Sequence, residues 1–289
     1  MIPEGFHIHH YKEVSSTNEE ALGLIERGIS NETIIIADKQ TEGRGRTGKS
    51  WISPEDNFYA SLVVNLFNNY LDKSPLSVSF QRVTLESRNQ EAWIPVSSTG
   101  MTSDGTGITV GLTSQVKDIS KLTELTFVTA LAVGNTLLSF MNDSNIQYKW
   151  PNDVLVDSKK ISGILLERKS NSNWLIIGIG INFNHAPLPG TTCISNYGES
   201  VSNMDLLKEL IINFNKLRKQ WLFDGFYAIR EMWLKKAFKM NEQISVKLAD
   251  KLYEGIFADI DKSGKLVLQQ KDGSLIYFDA GELFIDNAL

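Results

Sequence analysis

The sequence predicts an α/β (α+β) protein: a large region with interleaved strands and helices, followed by a small all-β domain. Three observations predict it. Apolar runs of strand length and segments of helical period succeed one another from about residue 18 to residue 238. Residues 122–141 are apolar almost all round, the mark of a largely buried helix. From about residue 243 the chain changes to short strand-like runs divided by turns at Asp261-Lys262-Ser263-Gly264 and Lys271-Asp272-Gly273, the rhythm of a small barrel. With 289 residues, 42% of them hydrophobic, the chain has enough apolar side chains to fill a sizeable core.

Taken in order, Val14-Ser15-Ser16-Thr17-Asn18 offers several N-caps for a helix over 18–27 that Gly28 stops. The Ile-rich run Thr33 to Asp38 reads as a buried strand. Another strand is expected at 58–66, and short strands at 146–150, 153–157, 160–167 and 174–182. A turn at Asp157-Ser158-Lys159 would join the pair near 154–164. Residues 203–223 and 226–238 alternate apolar and charged positions at helical spacing. Residues 68–120 fit none of this. The segment is rich in Ser, Thr, Gly and Asn, with scattered hydrophobes (Phe80, Trp93, Ile94, Val96) and no sustained period. A poorly ordered surface insertion is expected there, the other reading being a small hairpin within 101–113.

Composition excludes several function classes. A formal charge of −5 gives no global attraction to nucleic acid or anionic lipid. A lone cysteine, Cys193, forms no internal disulfide framework and suits a reducing compartment. The N-terminus has no basic region followed by an apolar run, and no 18 consecutive residues are apolar, so a cytoplasmic protein is expected. His7, His9, His10 and His185 form no metal pattern, and no metal site of the protein's own is expected.

The chemistry-bearing stretches begin with Gly43-Arg44-Gly45-Arg46-Thr47-Gly48-Lys49-Ser50-Trp51. Read literally it matches both a G-x-x-x-x-G-K-S phosphate loop and a G-x-G-x-x-G dinucleotide fingerprint. Both need a helix where the glycines end. Pro54 disfavours helix at Ser53, and a strand follows from Phe58, so neither reading is expected to hold. What remains is a glycine loop carrying three cations and an indole. Arg44 and Arg46 flank Gly45 as two guanidinium forks suited to phosphate or carboxylate, or as a merely solvated basic loop.

Lys149-Trp150-Pro151-Asn152-Asp153 reads as ordinary turn chemistry, or as a lysine held beside Trp150 for an anion. Ser16-Thr17-Asn18 is either a helix cap or a cluster of small donors and acceptors for a neutral polar ligand. In Lys159-Lys160-Ile161-Ser162-Gly163-Ile164-Leu165 the strand glycine marks a β-bulge or a close approach by a ligand or backbone. Ile177-Gly178-Ile179-Gly180-Ile181-Asn182 leaves one strand face bare, with Asn182 at its end free to bond a base or phosphate.

In that order along the chain, Ser16-Thr17-Asn18, Gln40 before the glycine loop, Lys149–Asp153, Lys159–Leu165 and Ile177–Asn182 closely resemble the biotin protein ligases. The resemblance covers essentially everything outside 68–120, including Tyr253-Glu254-Gly255, Asp261–Gly264 and Leu266 in the tail. It implies a catalytic domain over 1–238 related to class II aminoacyl-tRNA synthetases, with a mixed sheet and helices, interrupted at 68–120. An SH3-like domain would occupy 239–289. The implied reaction uses ATP, with Mg2+, to convert biotin to biotinyl-5′-AMP. The biotinyl group then passes to a lysine of the biotin carboxyl carrier domain of a biotin-dependent carboxylase.

Carried onto this sequence, the resemblance makes Lys149, Arg46, Asp153 and Lys160 catalytic. Biotin would be held by Ser16, Thr17, Asn18, Gln40, Arg44, Gly45, Arg46 and Lys149. The nucleotide would meet Arg44, Arg46, Lys49, Trp51, Asn152, Lys160 and Asn182, with Trp51 as a lid that slows hydrolysis of the anhydride. Two departures stand out: Lys49 replaces the family's usual arginine and loses its planar fork, and 68–120 has no counterpart of that length. Some members carry a DNA-binding module ahead of the catalytic domain; with the ligand motif starting at Ser16, a short form is expected. No partner among nucleic acids or membranes is expected, and the assembly would be monomer or homodimer. The alternatives are a lipoate or octanoate ligase of the same fold, a phosphate-loop nucleotide-binding protein, or an inactive protein that binds biotin without ligating it.

Overall fold

The computed structural model describes residues 6–65, 79–85, 90–96, 122–141, 145–169, 172–198, 201–248, 251–279 and 282–284. The chain runs β1 (His7–Val14), α1 (Thr17–Glu26), β2 (Thr33–Gln40), β3 (Phe58–Asn65), β4 (Ser79–Leu85), β5 (Gln90–Val96) and α2 (Glu124–Leu138). It continues with β6 (Ile146–Lys149), β7 (Asp153–Val156), β8 (Lys159–Arg168), β9 (Trp174–Ile181), α3 (Asn203–Asp224) and α4 (Phe226–Leu234). The tail holds β10 (Gln243–Leu248), β11 (Lys251–Ile260), β12 (Leu266–Gln269), β13 (Leu275–Phe278) and β14 (Glu282–Phe284).

Ile34, Ile35 and Ile36 are fully buried, as an unbroken apolar run requires when both strand faces are covered. They lie in a seven-stranded sheet of order β1-β2-β3-β9-β8-β7-β6. Only β1 and β2 run parallel; the other neighbours are antiparallel, which makes the sheet mixed as expected. α1 packs on β2, β3 and β9, and α2 packs against β6, β7 and β8. The all-round apolarity of α2 is explained by a second layer, since α3 and α4 cover its other side. Gly134 lets this helix approach the sheet: a Cβ there would stand 2.3 Å from the Tyr148 hydroxyl oxygen.

The β7–β8 turn falls at Asp157-Ser158, whose φ angles of 49° and 65° give the doubly left-handed turn that matches hairpin twist. One expectation missed an element. The sequence reading places no element before residue 14, yet His7–Val14 forms the edge strand β1. Its charged and polar side chains suit an edge, so its pattern carries little apolar signal.

Phe67–Lys117 is a compact unit by itself. Within it, β4 and β5 pair antiparallel from Ser79↔Val96 to Leu85↔Gln90. This pairing lies on the segment holding Phe80, Trp93, Ile94 and Val96, where the sequence shows no sustained period. The expected 101–113 hairpin falls outside the described residues.

The tail forms a five-stranded antiparallel sheet of order β13-β12-β11-β10-β14 around Ile244, Val246, Phe257, Ile260, Leu266, Leu268 and Phe278. Gly264 (φ 87°) and Gly273 (φ 83°) close its turns. Asp261 organises the first: its Oδ1 accepts from Ser263 N, Ser263 Oγ and Lys265 N. Burial pushes its carboxyl up, but those donors outweigh the burial and hold it below the ordinary aspartate value. This turn docks on the larger sheet. Trp150 Nε1 donates to Gly264 O at 3.1 Å, and Gly264 lies against the Phe127 ring. Arg230 on α4 completes the contact through both Asp259 carboxylate oxygens and the Ile260 carbonyl. Among the described residues no helix is long and apolar enough to cross a membrane.

Candidate functional site

The glycine loop closes on itself. Arg44 and Ser50 form an antiparallel bridge, Gly45 N donates to Lys49 O at 2.6 Å, and Trp51 N donates to Gly43 O at 2.8 Å. Between them lies a single 3-10 turn, Arg46–Gly48, with Thr47 at φ 53° and Gly48 at φ 74°. Gly43 is required by crowding, since a Cβ would stand 2.4 Å from both Ser53 Oγ and Trp51 O. Residues 51–57 then run without helix into β3. The two literal nucleotide patterns therefore fail here: both need a helix to begin where the glycines end, and none does.

At the other end of the site stand Ser16, Thr17 and Asn18, all buried. Ser16 occupies the N-cap of α1, yet its hydroxyl makes no capping bond. The cap is supplied by Gln40 instead, whose Oε1 accepts from Thr17 N at 2.9 Å and lies 3.2 Å from Thr17 Oγ1. Ser61 of β3 completes the cluster, with its Oγ 2.8 Å from Thr17 Oγ1 and 2.5 Å from Asn18 Oδ1. Gly178 makes room for this amide: a Cβ there would reach 2.4 Å from Asn18 Oδ1. The reading of Ser16-Thr17-Asn18 as a plain helix cap is thereby weakened.

The bare face of β9 has an occupant. Gly163 and Gly180 are register partners across β8 and β9, and the indole of Trp51 lies on both. A Cβ on Gly180 would stand 2.5 Å from that ring, and one on Gly163 2.8 Å. Lys160 Nζ sits 5.2 Å from the Trp51 ring centroid and pairs with Asp153 Oδ1 at 2.7 Å. The bulge considered for this segment is also present, where the β7–β8 register shifts between Val154 and Leu155. Lys149 and Asp153 are backbone register partners across the β6–β7 turn, and Asn152 Oδ1 lies 3.5 Å from Arg46 Nη1. That last contact links the turn to the glycine loop.

All the expected site residues line one cavity of about 620 Å³. Ser16, Thr17, Asn18 and Gln40 form its neutral end. Arg44, Gly45, Arg46, Lys49 and Trp51 form one wall, and Lys149, Asn152, Asp153, Lys160 and Asn182 come from the opposing strands. Among the described residues, five basic side chains line it against the single carboxylate of Asp153. The cavity is thus locally cationic in a chain of net charge −5, which suits an anionic ligand.

Arg44 and Asn182 have partners that the sequence does not predict. Arg44 is not an open fork: Nη1 lies 2.7 Å from Glu19 Oε1 and Nη2 2.7 Å from Glu167 Oε2. Asn182 is not free at a strand end either. It is buried and its Nδ2 donates to Thr192 O at 3.0 Å. The loop after β9 folds back over it, which a linear pattern does not reveal. Ser61, Glu19 and Glu167 were missed altogether. The only available signal was a lone polar residue inside the apolar run of β3 and a charge at the end of β8.

Comparison with known proteins follows the same lines. Residues 11–95 and 103–184 match the Biotin/lipoate A/B protein ligase family, and 239–286 match the Biotin protein ligase C terminal domain. The chain is 29% identical over 282 residues to the biotin–[acetyl-CoA-carboxylase] ligase of Paracoccus denitrificans, covering 93% of this chain and 96% of that protein. It is 25% identical to the bifunctional ligase/repressor BirA of Bacillus subtilis, across 93% of this chain and 71% of that one. In fold it resembles the biotin protein ligase of Aquifex aeolicus in complex with biotin and ATP, at TM-score 0.69 and 23% identity over 96% and 97% of the two chains. Family matches across more than half of the sequence, on a fold that agrees, place the chain in the Biotin/lipoate A/B protein ligase family as a biotin ligase.

Proposed function

We propose that this enzyme joins biotin to a lysine of a biotin carboxyl carrier domain through biotinyl-5′-AMP. The observation that carries the reading is the polarity of one cavity, with neutral donors and acceptors at the Ser16–Asn18 end and basic side chains at the other. A volume of about 620 Å³ suits a small ligand joined to a nucleotide. Support also comes from the Aquifex aeolicus ligase, seen with biotin and ATP, and from the Leishmania major ligase, seen with biotinyl-5-AMP.

In the first step a carboxylate oxygen of biotin attacks the α-phosphorus of ATP, and the bond to the β-phosphate oxygen breaks to release pyrophosphate. Two anions meet, so the rate depends on cations fixed where charge accumulates. Lys149 and Arg46 take this role, Lys149 bridging the biotin carboxylate and the α-phosphate. Arg44, held by Glu19 and Glu167, serves chiefly to anchor the loop, leaving the phosphate to Arg46 and Lys49. Magnesium enters with the triphosphate as part of the substrate. Ser16, Thr17, Asn18 and Gln40 meet the ureido head group, and Trp51 shields the mixed anhydride from water. In the second step the neutral ε-amine of the acceptor lysine attacks the anhydride carbonyl carbon. The carbon–oxygen bond to AMP breaks and the amine loses a proton. In this reading the carboxylate of Asp153, on the cavity wall beside Lys160, accepts that proton. Residues 1–238 form the catalytic part and 239–289 the C-terminal domain in this reading.

ATP–pyrophosphate exchange is the direct test. Exchange that requires biotin and is not supported by lipoate is expected, together with labelled-biotin transfer to a carrier domain only when ATP is present. Exchange supported by lipoate and not biotin would overturn the reading.

A further inference from the structure

Glu167 lies behind the glycine loop at the end of β8, outside the cavity wall, where one of its oxygens does two things. Its Oε2 accepts from Asn18 Nδ2 at 2.6 Å and from Arg44 Nη2 at 2.7 Å. Asn18 belongs to the neutral end of the cavity and Arg44 to the start of the loop. A carboxylate of a third element therefore joins two parts of the site that the backbone does not connect.

The bond has a definite sense. An ionised carboxylate only accepts, so it fixes which way the Asn18 amide faces. Nδ2 points to Glu167, and Oδ1 is left to Ser61 Oγ at 2.5 Å. The packing of Asn18 against Gly178 leaves its side chain little room to adopt another position. Arg44 is different, because Glu19 Oε1 also holds it at 2.7 Å. Removing Glu167 thus leaves Arg44 paired to Glu19, whereas the Asn18 amide loses the acceptor that orients it.

We propose that Glu167 is a positioning residue for biotin recognition: it presents one edge of the Asn18 amide to the head group and ties that edge to the glycine loop. The inference rests on the reading above that Asn18 meets biotin. It predicts a specific kinetic pattern, because Asn18 senses the head group while the chemical step takes place at Lys149 and Arg46.

The test is a cycle of Glu167→Ala, Glu167→Gln and Asn18→Ala, alone and combined, followed by biotin-dependent pyrophosphate exchange and thermal denaturation. Glu167→Ala is expected to raise the KM for biotin about tenfold to a hundredfold, the scale of one lost bond to a charged group. Its kcat and its KM for ATP should change by less than about threefold, since Glu19 still holds Arg44. Glu167→Gln keeps an acceptor in place and should cost only several-fold in the KM for biotin, because its bonds are no longer charge-assisted. In the Asn18→Ala background, Glu167→Ala should add less than about threefold, the signature of two residues acting as one. Additive effects, a loss confined to kcat, or a wild-type KM for biotin in Glu167→Gln would each overturn the proposal, the last even if the alanine variant does not fold. A wild-type enzyme without biotin-dependent exchange would overturn the parent reading and this proposal with it. Active wild type with an additive cycle overturns the Glu167 proposal alone.

Discussion

Lys149 stands on the cavity wall, half-buried, one residue before the fully buried indole of Trp150. The buried neighbour holds the backbone of the β6–β7 turn in place, so the ammonium group is carried on a fixed base. Electrostatic stabilisation gains most from such a group, because little reorganisation is needed when charge develops. Lys149→Ala is expected to lower the rate of biotin-dependent pyrophosphate exchange by ~10²–10³-fold, the usual scale for one stabilising donor. Near-normal exchange in a folded variant would remove Lys149 from the role proposed for it. At this scale the sequence was legible where residues with chemistry are contiguous, as in Lys149–Asp153 and Gly43–Trp51. Glu19, Ser61 and Glu167 were not legible, since each is one polar residue in an ordinary element and gains meaning only from partners far along the chain.

The glycine pair on β8 and β9 shows what an element contributes that a residue does not. Gly163 and Gly180 are 17 positions apart in sequence but register partners in the sheet, and together they form the seat of the Trp51 indole. Gly180→Ala leaves the strand free to form but places a methyl group 2.5 Å from the ring, so the indole must move. Displacing a group by about an ångström costs on the order of a hundredfold when geometry governs the step. We expect this variant to form biotinyl-AMP and to lose it to water faster, read as AMP production without a carrier domain rising at least about tenfold. Unchanged leakage would show that Trp51 is not the shield. The alternation of glycine and isoleucine announced a bare strand face, but nothing in the pattern said that Trp51 covers it. The edge strand β1 was missed for a related reason: a strand paired on one side only needs no apolar face of its own to be stable.

For the whole molecule, the informative contact is the docking of the C-terminal domain through the Asp261–Gly264 turn. Trp150 precedes Pro151 at the site and donates to Gly264 O, so the turn that closes the small sheet also buttresses the β6–β7 turn of the large one. The Asp261 carboxyl is held below its ordinary value by the donors around it. A depressed value means the folded state binds the proton less readily than the unfolded state. The carboxylate therefore stabilises the fold fully above the unfolded value, about 4, and the contribution is lost as pH falls through the folded value. The gap in melting temperature between the enzyme and Asp261→Ala should be flat from about pH 6 to 8 and should narrow below about pH 4. A gap that widens in acid would contradict this account.

The sequence by itself determined the elements with strong local signals and the chemistry of the loops between them. Ile34–Ile36 read best as a buried strand, 122–141 as a buried helix, and the glycine loop as something other than a phosphate loop once Pro54 and a strand followed it. It also supplied the neutral and basic residues of the site, since these lie in contiguous stretches. Only the tertiary structure decided their partners: Gln40 as the cap of α1, Glu19 and Glu167 on Arg44, Trp51 on two glycines, and Thr192 on Asn182. The physical reason is range. Burial and period act over a few residues and leave a trace in composition, whereas a hydrogen bond between residues 149 positions apart leaves none until the sheet brings them together.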